Sequence, residues 1–432
     1  MTSFSKPIYK LLNYFYLLDY YYEVRKFNKS SRKEKTAFIN KRIRNFVKCA
    51  YLNTHYYHSL FKEHQIDYDN IRKIEDLKKI PITDKITFRK NQQLFYNVNC
   101  KQTYTFTTSG STGIPVKIIY DIKSLLIYLA ISQRHREVTK KINKGNGKKI
   151  FIVHTVPDTT AYTIEEYIHD ILFLPKLIRS KYPYYNIHLP MEELIDIIKR
   201  ERPLIVSTYG SFISLIARYL REHDLKISNP RLFIYSSDNC SKQDIKFLLD
   251  MGIKTISTYT CVESLCLAYQ DVPSGNFIIY ENAANLWNDE SENIILTNLF
   301  NDGTILLNYR VGDRGKILYD SETDNYVIKD LEGSVSDYIV LKDGGRISHA
   351  MIDDFFWIEG IIQYQIIQKN FSKFVIRIVV ERNFDSIKNV IESRFRELLN
   401  YGTQIQFENV TEIKREKSGK FKPIICEIKK NK

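Results

Sequence analysis

The feature that most restricts the fold is a series of short apolar segments that alternate with amphipathic helical patterns between residues 148 and 260. The segments KKIFIVHT, PLIVSTYG, RLFIYSS and IKTISTYT have the length and β-branched content of buried strands. Between them, FISLIARYLREHD and SKQDIKFLLDMG repeat apolar residues at helical spacing. Strand, helix and strand joined by short connections predict parallel sheet layers.

The regions on either side of this series have different patterns. Residues 1–65 predict helices, because Tyr and Leu recur at helical spacing. A Thr83-Asp84 turn or cap signal follows a break at Pro81. Residues 276–319 predict short strands, with turns at Asn301-Asp302-Gly303 and at Gly312-Asp313.

A change of composition near residues 331–346 divides the chain. The tail after it contains two apolar strand patterns, a helical pattern around 384–400 and a basic end. We therefore predict an α/β protein, with a large N-terminal domain of layered β-sheets flanked by helices and a small mobile α+β C-terminal domain. The N-terminal domain is expected over 1–336, with 1–65 as a helical lead-in, and the lid domain over 337–432.

The charge and the cysteine usage say more about the cellular environment of the chain than about its function. The net charge of +14 suggests acidic partners, but the Lys and Arg residues are dispersed along the whole chain, which is also the pattern of a solvated surface. No helix-turn-helix, RNP or zinc-finger pattern occurs, so a nucleic-acid partner is not expected. Six scattered cysteines without a CxxC pair predict reduced thiols in a cytoplasmic protein.

The Tyr-rich first helix allows two interpretations. No run of about 18 apolar residues occurs, so no transmembrane segment is predicted. The apolar stripe of MTSFSKPIYKLLNYFYLLDYYYEVRK either packs on its own domain or associates weakly with a membrane surface.

The loop TFTTSGSTGIPVK, residues 105–117, is crowded with hydroxyl groups and glycines. Glycines let backbone amides approach an oxyanion closely, hydroxyl groups donate to phosphate oxygens, and Lys117 adds a cation. The pattern is not a Walker loop, because GxxxxGK[ST] is absent. Taken alone, it fits a solvent-exposed linker about as well as a phosphate-binding loop.

The order of the other motifs extends this observation. TTSGSTGIPVK is followed by YTCVES at 259–264, NYRVGDRG at 308–315, a hinge-like segment and KSGK at 417–420. This order resembles the adenylate-forming superfamily of acyl-CoA synthetases, peptide-synthetase adenylation domains and luciferases. The stretch YYHSLFKEHQIDYDNIRKIEDLKKIPITDK is similar to the phenylacetate–CoA ligase branch, which includes bacterial relatives from capsular polysaccharide biosynthesis.

The resemblance implies a set of site residues. Glu263 would bind Mg²⁺ and act in catalysis, Lys420 would be the catalytic lysine of the lid, and Asp337 would be the hinge. Tyr209 would line the pocket of the acid substrate, and His154, at the end of a predicted strand, would either contact that substrate or be a satisfied structural histidine. The residues that the resemblance implies for ATP binding are Thr107, Thr108, Ser109, Gly110, Ser111, Thr112, Gly113, Lys117, Ser236, Ser237, Asp238, Tyr259, Thr260 and Asp313.

Within that set, the 107–117 loop would wrap the β- and γ-phosphates. Tyr259 would stack on adenine, and Asp313 would accept the ribose hydroxyls. The sequence departs from the family at Ser334, where an arginine is usual, and at Thr260, where glycine is usual. Cys261 is not expected to be a nucleophile, and no zinc is expected.

The resemblance implies an ATP-dependent, AMP-forming carboxylate ligase that uses ATP and Mg²⁺. It would activate a small carboxylic acid and transfer the acyl group to an amine or hydroxyl of a sugar or polysaccharide precursor in surface polysaccharide biosynthesis. Transfer to CoA, which would make the chain an acyl- or aryl-CoA ligase, is an alternative. A non-catalytic nucleotide-binding or nucleic-acid-binding protein is an alternative from another class.

Overall fold

The computed structural model describes residues 5–107, 116–132, 148–153, 160–172, 183–271, 274–332, 338–343, 345–349, 352, 354–356, 358–380, 383–399, 402–416 and 421–428. The helices in these ranges are α1 (Ser5–Lys29), α2 (Arg32–Asn53), α3 (His55–Glu63), α4 (Lys85–Lys90), α5 (Ile122–Ser132), α6 (Thr160–Ile171), α7 (Met191–Glu201), α8 (Gly210–Glu222), α9 (Lys242–Asp250) and α10 (Phe384–Leu399). Short 3₁₀ turns cover Tyr68–Asn70, Ile74–Lys79, Gln92–Phe95 and Asp354–Phe356.

The strands cover both halves of the chain. They are β1 (Thr103–Thr107), β2 (Lys117–Asp121), β3 (Lys149–Val153), β4 (Tyr184–Asn186), β5 (Ile205–Tyr209), β6 (Leu232–Ser236), β7 (Lys254–Tyr259), β8 (Ala268–Gln270), β9 (Phe277–Ile279), β10 (Ala284–Asn288), β11 (Asn293–Asn298), β12 (Tyr309–Asp320), β13 (Asn325–Glu332), β14 (Tyr338–Val340), β15 (Arg346–Ser348), β16 (Ile361–Gln368), β17 (Lys373–Val380), β18 (Gln404–Asn409) and β19 (Ile424–Cys426).

The described residues form two compact units. One contains those within 1–146, 154–183 and 256–331, and the other contains those within 147–153, 184–255 and 332–432. The first is named the nucleotide unit and the second the lid unit below, after the roles that the resemblance implies for parts of each. The predicted domain boundary at residue 337 lies outside the described residues.

In the nucleotide unit, antiparallel strands pack beneath the N-terminal helices. The strand order is β10-β11-β12-β13-β9-β8, followed by β7, and the β1–β2 pair forms a separate ribbon. Helix α2 begins with a capping box, in which Glu34 accepts a hydrogen bond from the backbone N–H of Ser31 at 2.8 Å. Such a cap contributes about 1 kcal/mol and fixes where the helix starts. Ile39, Ile43 and Val47 of α2 then point into the core.

In the lid unit, the predicted parallel layer is confirmed. Its strand order is β6-β5-β3-β4, and the pairs β3–β4, β3–β5 and β5–β6 are parallel. Helix α8 buries Phe212, Ile213 and Ile216 against this sheet. Side chains of β3 and β5 largely alternate between buried and partly buried positions, whereas four successive residues of β6 are buried.

The C-terminal part of the lid unit is a four-stranded sheet with the order β18-β17-β16-β19, against which α10 packs. The buried Arg218 of α8 donates from Nε to Asp244 Oδ2 at 3.0 Å and from Nη1 to the Ile362 carbonyl at 3.2 Å. This arginine therefore connects the parallel layer to β16. The predicted α/β architecture, with large layered sheets and a small α+β region, is confirmed.

One predicted turn is wrong. The Gly312-Asp313 pair lies inside the continuous strand β12, and no turn interrupts it. Ile295 pairs with Arg310, and Asn293 pairs with Arg314, so two extra residues of β12 are accommodated opposite β11. Gly312 has a φ of 101°, a left-handed backbone that suits glycine, and the strand bulges there instead of reversing.

Candidate active site

Tyr259 and Asp313 lie together in the nucleotide unit. Tyr259 ends β7, and its hydroxyl group donates to Asp313 Oδ2 at 2.8 Å. The tyrosine is buried, and this burial together with the charge of Asp313 raises the pKa of its hydroxyl group well above the usual value. Tyr259 therefore remains a proton donor at neutral pH and orients the carboxylate. The structure brings together two residues that the sequence places 54 positions apart.

The bulge in β12 determines how Asp313 is presented. In a regular strand, successive side chains alternate between the two faces of the sheet. The extra residues at Gly312 break that alternation and let the Asp313 carboxylate meet the Tyr259 hydroxyl. The bulge thus explains why glycine precedes aspartate at positions 312 and 313 of the motif.

Glu263 is a buried carboxylate, with a 3% exposed surface. Its Oε1 accepts a hydrogen bond from the Tyr309 hydroxyl group at 3.1 Å, and Lys85 Nζ lies 3.9 Å from the same oxygen. Burial and the adjacent Glu263 charge raise the pKa of Tyr309 well above the usual value, so its hydroxyl group also remains a donor. The backbone carbonyl of Glu263 accepts from Asn298 Nδ2 at 3.0 Å, which fixes this segment of chain.

The donor set around Glu263 fits a magnesium ion that is shared with a phosphate ligand. Mg²⁺ is usually held by one or two carboxylates together with substrate phosphates and water. Within the described ranges, no cluster of three or more His, Cys, Asp or Glu residues that could hold a metal ion occurs. Cys261 is partly buried, and desolvation followed by the Glu263 charge raises the pKa of its thiol, which disfavours a nucleophilic role.

The contacts of Tyr309 and Lys85 with Glu263 were not predicted from the sequence. Thr83 pairs with Tyr309 as an isolated bridge, and Arg310 N–H donates to the Thr83 carbonyl at 2.9 Å. Asp84 then caps α4 by accepting from the N–H of Thr87 at 2.7 Å, so of the turn or cap predicted at this position the cap is the one observed. Lys85 is the first residue of α4 and is therefore positioned beside Glu263. Tyr309 does lie in the NYRVGDRG motif, but only the tertiary fold reveals its partner.

The two ends of the hydroxyl-rich loop are fixed. Thr107 of β1 pairs with Lys117 of β2 in the antiparallel ribbon. The Lys117 N–H donates to Gln92 Oε1 at 2.6 Å, and its carbonyl accepts from the Tyr96 hydroxyl at 3.1 Å. The loop between β1 and β2 therefore starts and finishes at two residues that are paired across the ribbon.

Several predicted site residues lie outside the described residues. They are Thr108, Ser109, Gly110, Ser111, Thr112, Gly113, His154, Asp337 and Lys420. Their roles remain predictions.

In the lid unit, Asp238 joins two distant segments. Its Oδ1 accepts from Ser211 N–H at 3.0 Å, and its Oδ2 accepts from Ser211 Oγ at 2.6 Å and from Phe421 N–H at 3.3 Å. Ser236 ends β6, and Ser237 has a φ of 77°, so the chain bends sharply before Asp238. Whether these three residues also line a base remains a prediction.

The chain at Asp238 comes so close to the start of α8 that position 210 requires a glycine. A Cβ at Gly210 would lie 2.4 Å from the Asp238 carbonyl oxygen. Tyr209 precedes Gly210 and is buried at the end of β5. Thr260, a residue of the nucleotide unit, follows β7. Their contacts with ligands stay predictions.

Arg415 is a further residue that the sequence did not single out. Its Nη1 donates to Ser211 Oγ at 2.9 Å, and its guanidinium lies 5.3 Å from the ring centre of Phe212 and 5.8 Å from that of Phe421. Burial lowers its pKa, and the Asp238 charge opposes this effect. Arg415 precedes the KSGK motif and contacts the start of α8. Phe421 follows the motif and donates its N–H to Asp238, just after β6.

Comparison with known proteins shows that the chain shares its fold with a CoA ligase of solved structure. Residues 339–427 match the family model of the CapK C-terminal domain. No curated protein matches the sequence significantly. The crystal structure of 2-hydroxyisobutyryl-CoA ligase in the postadenylation state, in complex with 2-HIB-AMP, has a TM-score of 0.72 at 12% identity and covers 93% of each chain. The same ligase with 2-HIB-AMP and CoA in the thioesterification state has a TM-score of 0.59 at 13% identity, with 92% of this chain and 90% of that chain covered.

Proposed function

We propose that this chain, which has the fold of the adenylate-forming ligases, activates a carboxylic acid with ATP as an acyl adenylate and then transfers the acyl group to an acceptor. The observation that carries the proposal is the hydrogen bond between Tyr259 and Asp313 at 2.8 Å. A buried tyrosine that holds a carboxylate on a strand bulge suits a ligand with an aromatic base and two adjacent hydroxyl groups. One carboxylate can accept from both hydroxyls of a ribose.

In the first step, an oxygen of the substrate carboxylate would form a bond to the α-phosphorus of ATP. The bond from that phosphorus to the oxygen bridging to the β-phosphate would break, and pyrophosphate would leave with its electron pair. Two anions must meet for this reaction, so a cation that acts mainly in the transition state lowers the barrier. We assign that cation to Lys420.

Glu263 would hold the magnesium ion of the nucleotide, and a bound Mg²⁺ neutralises charge on phosphate oxygens. Tyr309 and Lys85 would keep the Glu263 carboxylate oriented. The loop that begins at Thr107 and ends at Lys117 would surround the β- and γ-phosphates with hydroxyl and amide donors.

The CapK C-terminal domain match favours an acceptor from capsular or other surface polysaccharide biosynthesis, with an amide or ester as the product. The likeness to 2-hydroxyisobutyryl-CoA ligase favours CoA as a second candidate acceptor. Both candidates share the adenylation step, and they differ only in the nucleophile that attacks the acyl carbon. We place the reaction in the cytoplasm of a bacterial cell.

The test is ATP–pyrophosphate exchange with a panel of carboxylic acids, followed by acceptor assays with CoA, amines and hydroxylated sugars. The proposal expects exchange that depends on one class of acid and is strongly reduced in Asp313→Asn. Asp320→Asn, at the end of the same strand, serves as the matched control and should behave like the wild type. Nucleotide binding without exchange for any acid would favour a non-catalytic binding protein instead.

A further inference from the structure

The first helix exposes an unusually large apolar surface. Seven large side chains on α1 have exposed fractions between 44% and 70%. This set is named the α1 face, and it consists of Tyr9, Leu11, Leu12, Phe15, Tyr16, Leu18 and Tyr22. Its central stripe, Leu11, Phe15, Leu18 and Tyr22, follows spacings of four, three and four residues, which places these side chains on one side of a helix.

The opposite side of α1 is already used by the fold. Tyr14, Leu17 and Tyr21 pack against the core of the nucleotide unit. Asn13 Nδ2 donates to the Ile171 carbonyl of α6 at 2.7 Å, and Lys10 Nζ donates to the His169 carbonyl at 2.8 Å. These contacts fix the rotation of the helix, so the α1 face points outward and does not stabilise this unit.

Basic side chains continue the same stripe. Lys26 and Lys29 follow Tyr22 at spacings of four and three residues, and Arg25 is exposed beside them. With Tyr22, Ser30 and Glu34, they line an open depression of about 440 Å³. An apolar surface thus ends in a cluster of three cations, which defines the basic end of α1. Asp19 is also exposed on this helix, and the segment Ser5–Lys29 contains five basic and two acidic residues.

We propose that the α1 face and its basic end dock on an anionic phospholipid membrane. Leu and Phe side chains insert into the boundary between headgroups and acyl chains, and tyrosines favour that same boundary. Cations at one end of the helix attract the phosphates of anionic lipids. No described helix is long and apolar enough to cross a bilayer, so α1 lies in the plane of the membrane surface.

The charge distribution favours a membrane over a second copy of the chain. A parallel pair of α1 faces would bring two basic ends together, and like charges in contact disfavour association. An antiparallel pair would place each basic end against the start of the other helix, whose first turn holds no acidic residue. An anionic lipid surface instead complements both the basic end and the net charge of +14. This inference is independent of the proposed enzymatic function, because the test below measures binding and not turnover.

The test is co-sedimentation of the full chain with vesicles. One set contains phosphatidylcholine alone, and the other contains equal parts of phosphatidylcholine and phosphatidylglycerol. We expect binding to the anionic vesicles that weakens as salt is added, and much weaker binding to the neutral vesicles. Equal binding to both sets, or binding to neither, would overturn the proposal.

A first pair of variants tests the apolar part. Phe15→Ser together with Leu18→Ser should lower the affinity for anionic vesicles by about tenfold or more, because less apolar area is inserted. Leu249→Ser is the control, since Leu249 is a similarly exposed leucine on α9, with 54% of its surface exposed against 62% for Leu18. It should bind like the wild type. Unchanged binding of the double variant would contradict insertion of α1.

A second pair tests the basic end. Arg25→Gln, Lys26→Gln and Lys29→Gln combined should lower the affinity by roughly a hundredfold, since each charge near an anionic surface contributes about fivefold. The control variant removes three exposed lysines elsewhere, at Lys242, Lys246 and Lys254. An equal loss in both variants would indicate attraction to the overall charge and would refute a site on α1.

Light scattering on the same proteins tests the alternative that a second copy of the chain covers the α1 face. We expect a molar mass that the Phe15→Ser, Leu18→Ser variant leaves unchanged. A dimer that dissociates in that variant would show that a second copy covers the α1 face, and it would overturn the membrane proposal. Because both side chains point outward, thermal unfolding should occur at the wild-type temperature, which confirms that the variant is folded.

Discussion

Replacement of Tyr309 by Phe isolates one hydrogen bond at the proposed metal carboxylate. The Tyr309 side chain has a 0% exposed surface, and its hydroxyl donates to Glu263 Oε1 at 3.1 Å. The change removes one oxygen and leaves the ring in place. Glu263 then loses a donor in a buried position, where water replaces it poorly.

The magnitude follows from the charge and burial of the acceptor. A hydrogen bond to a charged group contributes about 1.5–3 kcal/mol, so we expect the free energy of unfolding to fall by about 2 kcal/mol. Groups that orient a metal ligand typically change metal affinity or activity by about 10–100-fold. The Mg²⁺ concentration that gives half of the maximal ATP–pyrophosphate exchange rate should therefore rise by at least about tenfold in Tyr309→Phe.

The assay pairs urea denaturation with a magnesium titration of the exchange rate. The control is Tyr104→Phe, which removes a tyrosine hydroxyl donated at 2.7 Å to the carboxylate of Asp170, a residue without a proposed role. We expect this variant to lose stability without a change in magnesium dependence. A Tyr309→Phe protein with wild-type magnesium dependence would refute the assignment of Tyr309 as a residue that positions Glu263.

Three further predictions concern Asp313, Lys420 and Asp84. Asp313→Ala should weaken ATP binding by about tenfold or more in calorimetry, since a charged acceptor for the ribose is lost, and unchanged binding would contradict the ribose assignment. Lys420→Ala should lower exchange by at least about a hundredfold and leave ATP binding nearly intact, and surviving exchange would refute its role. Asp84→Ala should cost about 1 kcal/mol at neutral pH. The hydrogen bond from Thr87 lowers the Asp84 pKa, so this contribution is complete above the unfolded pKa of about 3.9 and disappears as the pH falls through the lower folded pKa. A gap in unfolding free energy that persists in strong acid would contradict this.

The sequence predicted the elements whose pattern is local. The parallel strands β3, β5 and β6 were predictable because each is a short, largely apolar run next to a helical pattern. Helix α10 was predicted over 384–400 and is observed over Phe384–Leu399 because its apolar residues repeat at helical spacing. The residue types at Thr83 and Asp84 predicted a turn or a helix cap, and the structure has the cap.

The sequence failed where distant segments determine the outcome. Gly312 suggested a turn, since glycine favours a positive φ, but the flanking residues continue to pair with β11 and the same backbone produces a bulge. The partners of Glu263 come from segments far away in the chain, so no local spacing indicates them. Arg415 lies in a basic tail where many cations look alike, and only its burial between Phe212 and Phe421 distinguishes it.

The most direct test of the central claim is transfer of radiolabelled pyrophosphate into ATP in the presence of a carboxylic acid. Reversible adenylate formation predicts label in ATP that requires the acid and magnesium, together with an acyl-AMP species in the mass spectrum. Formation of ADP and phosphate, or bound ATP that never exchanges with any acid tested, would contradict the account.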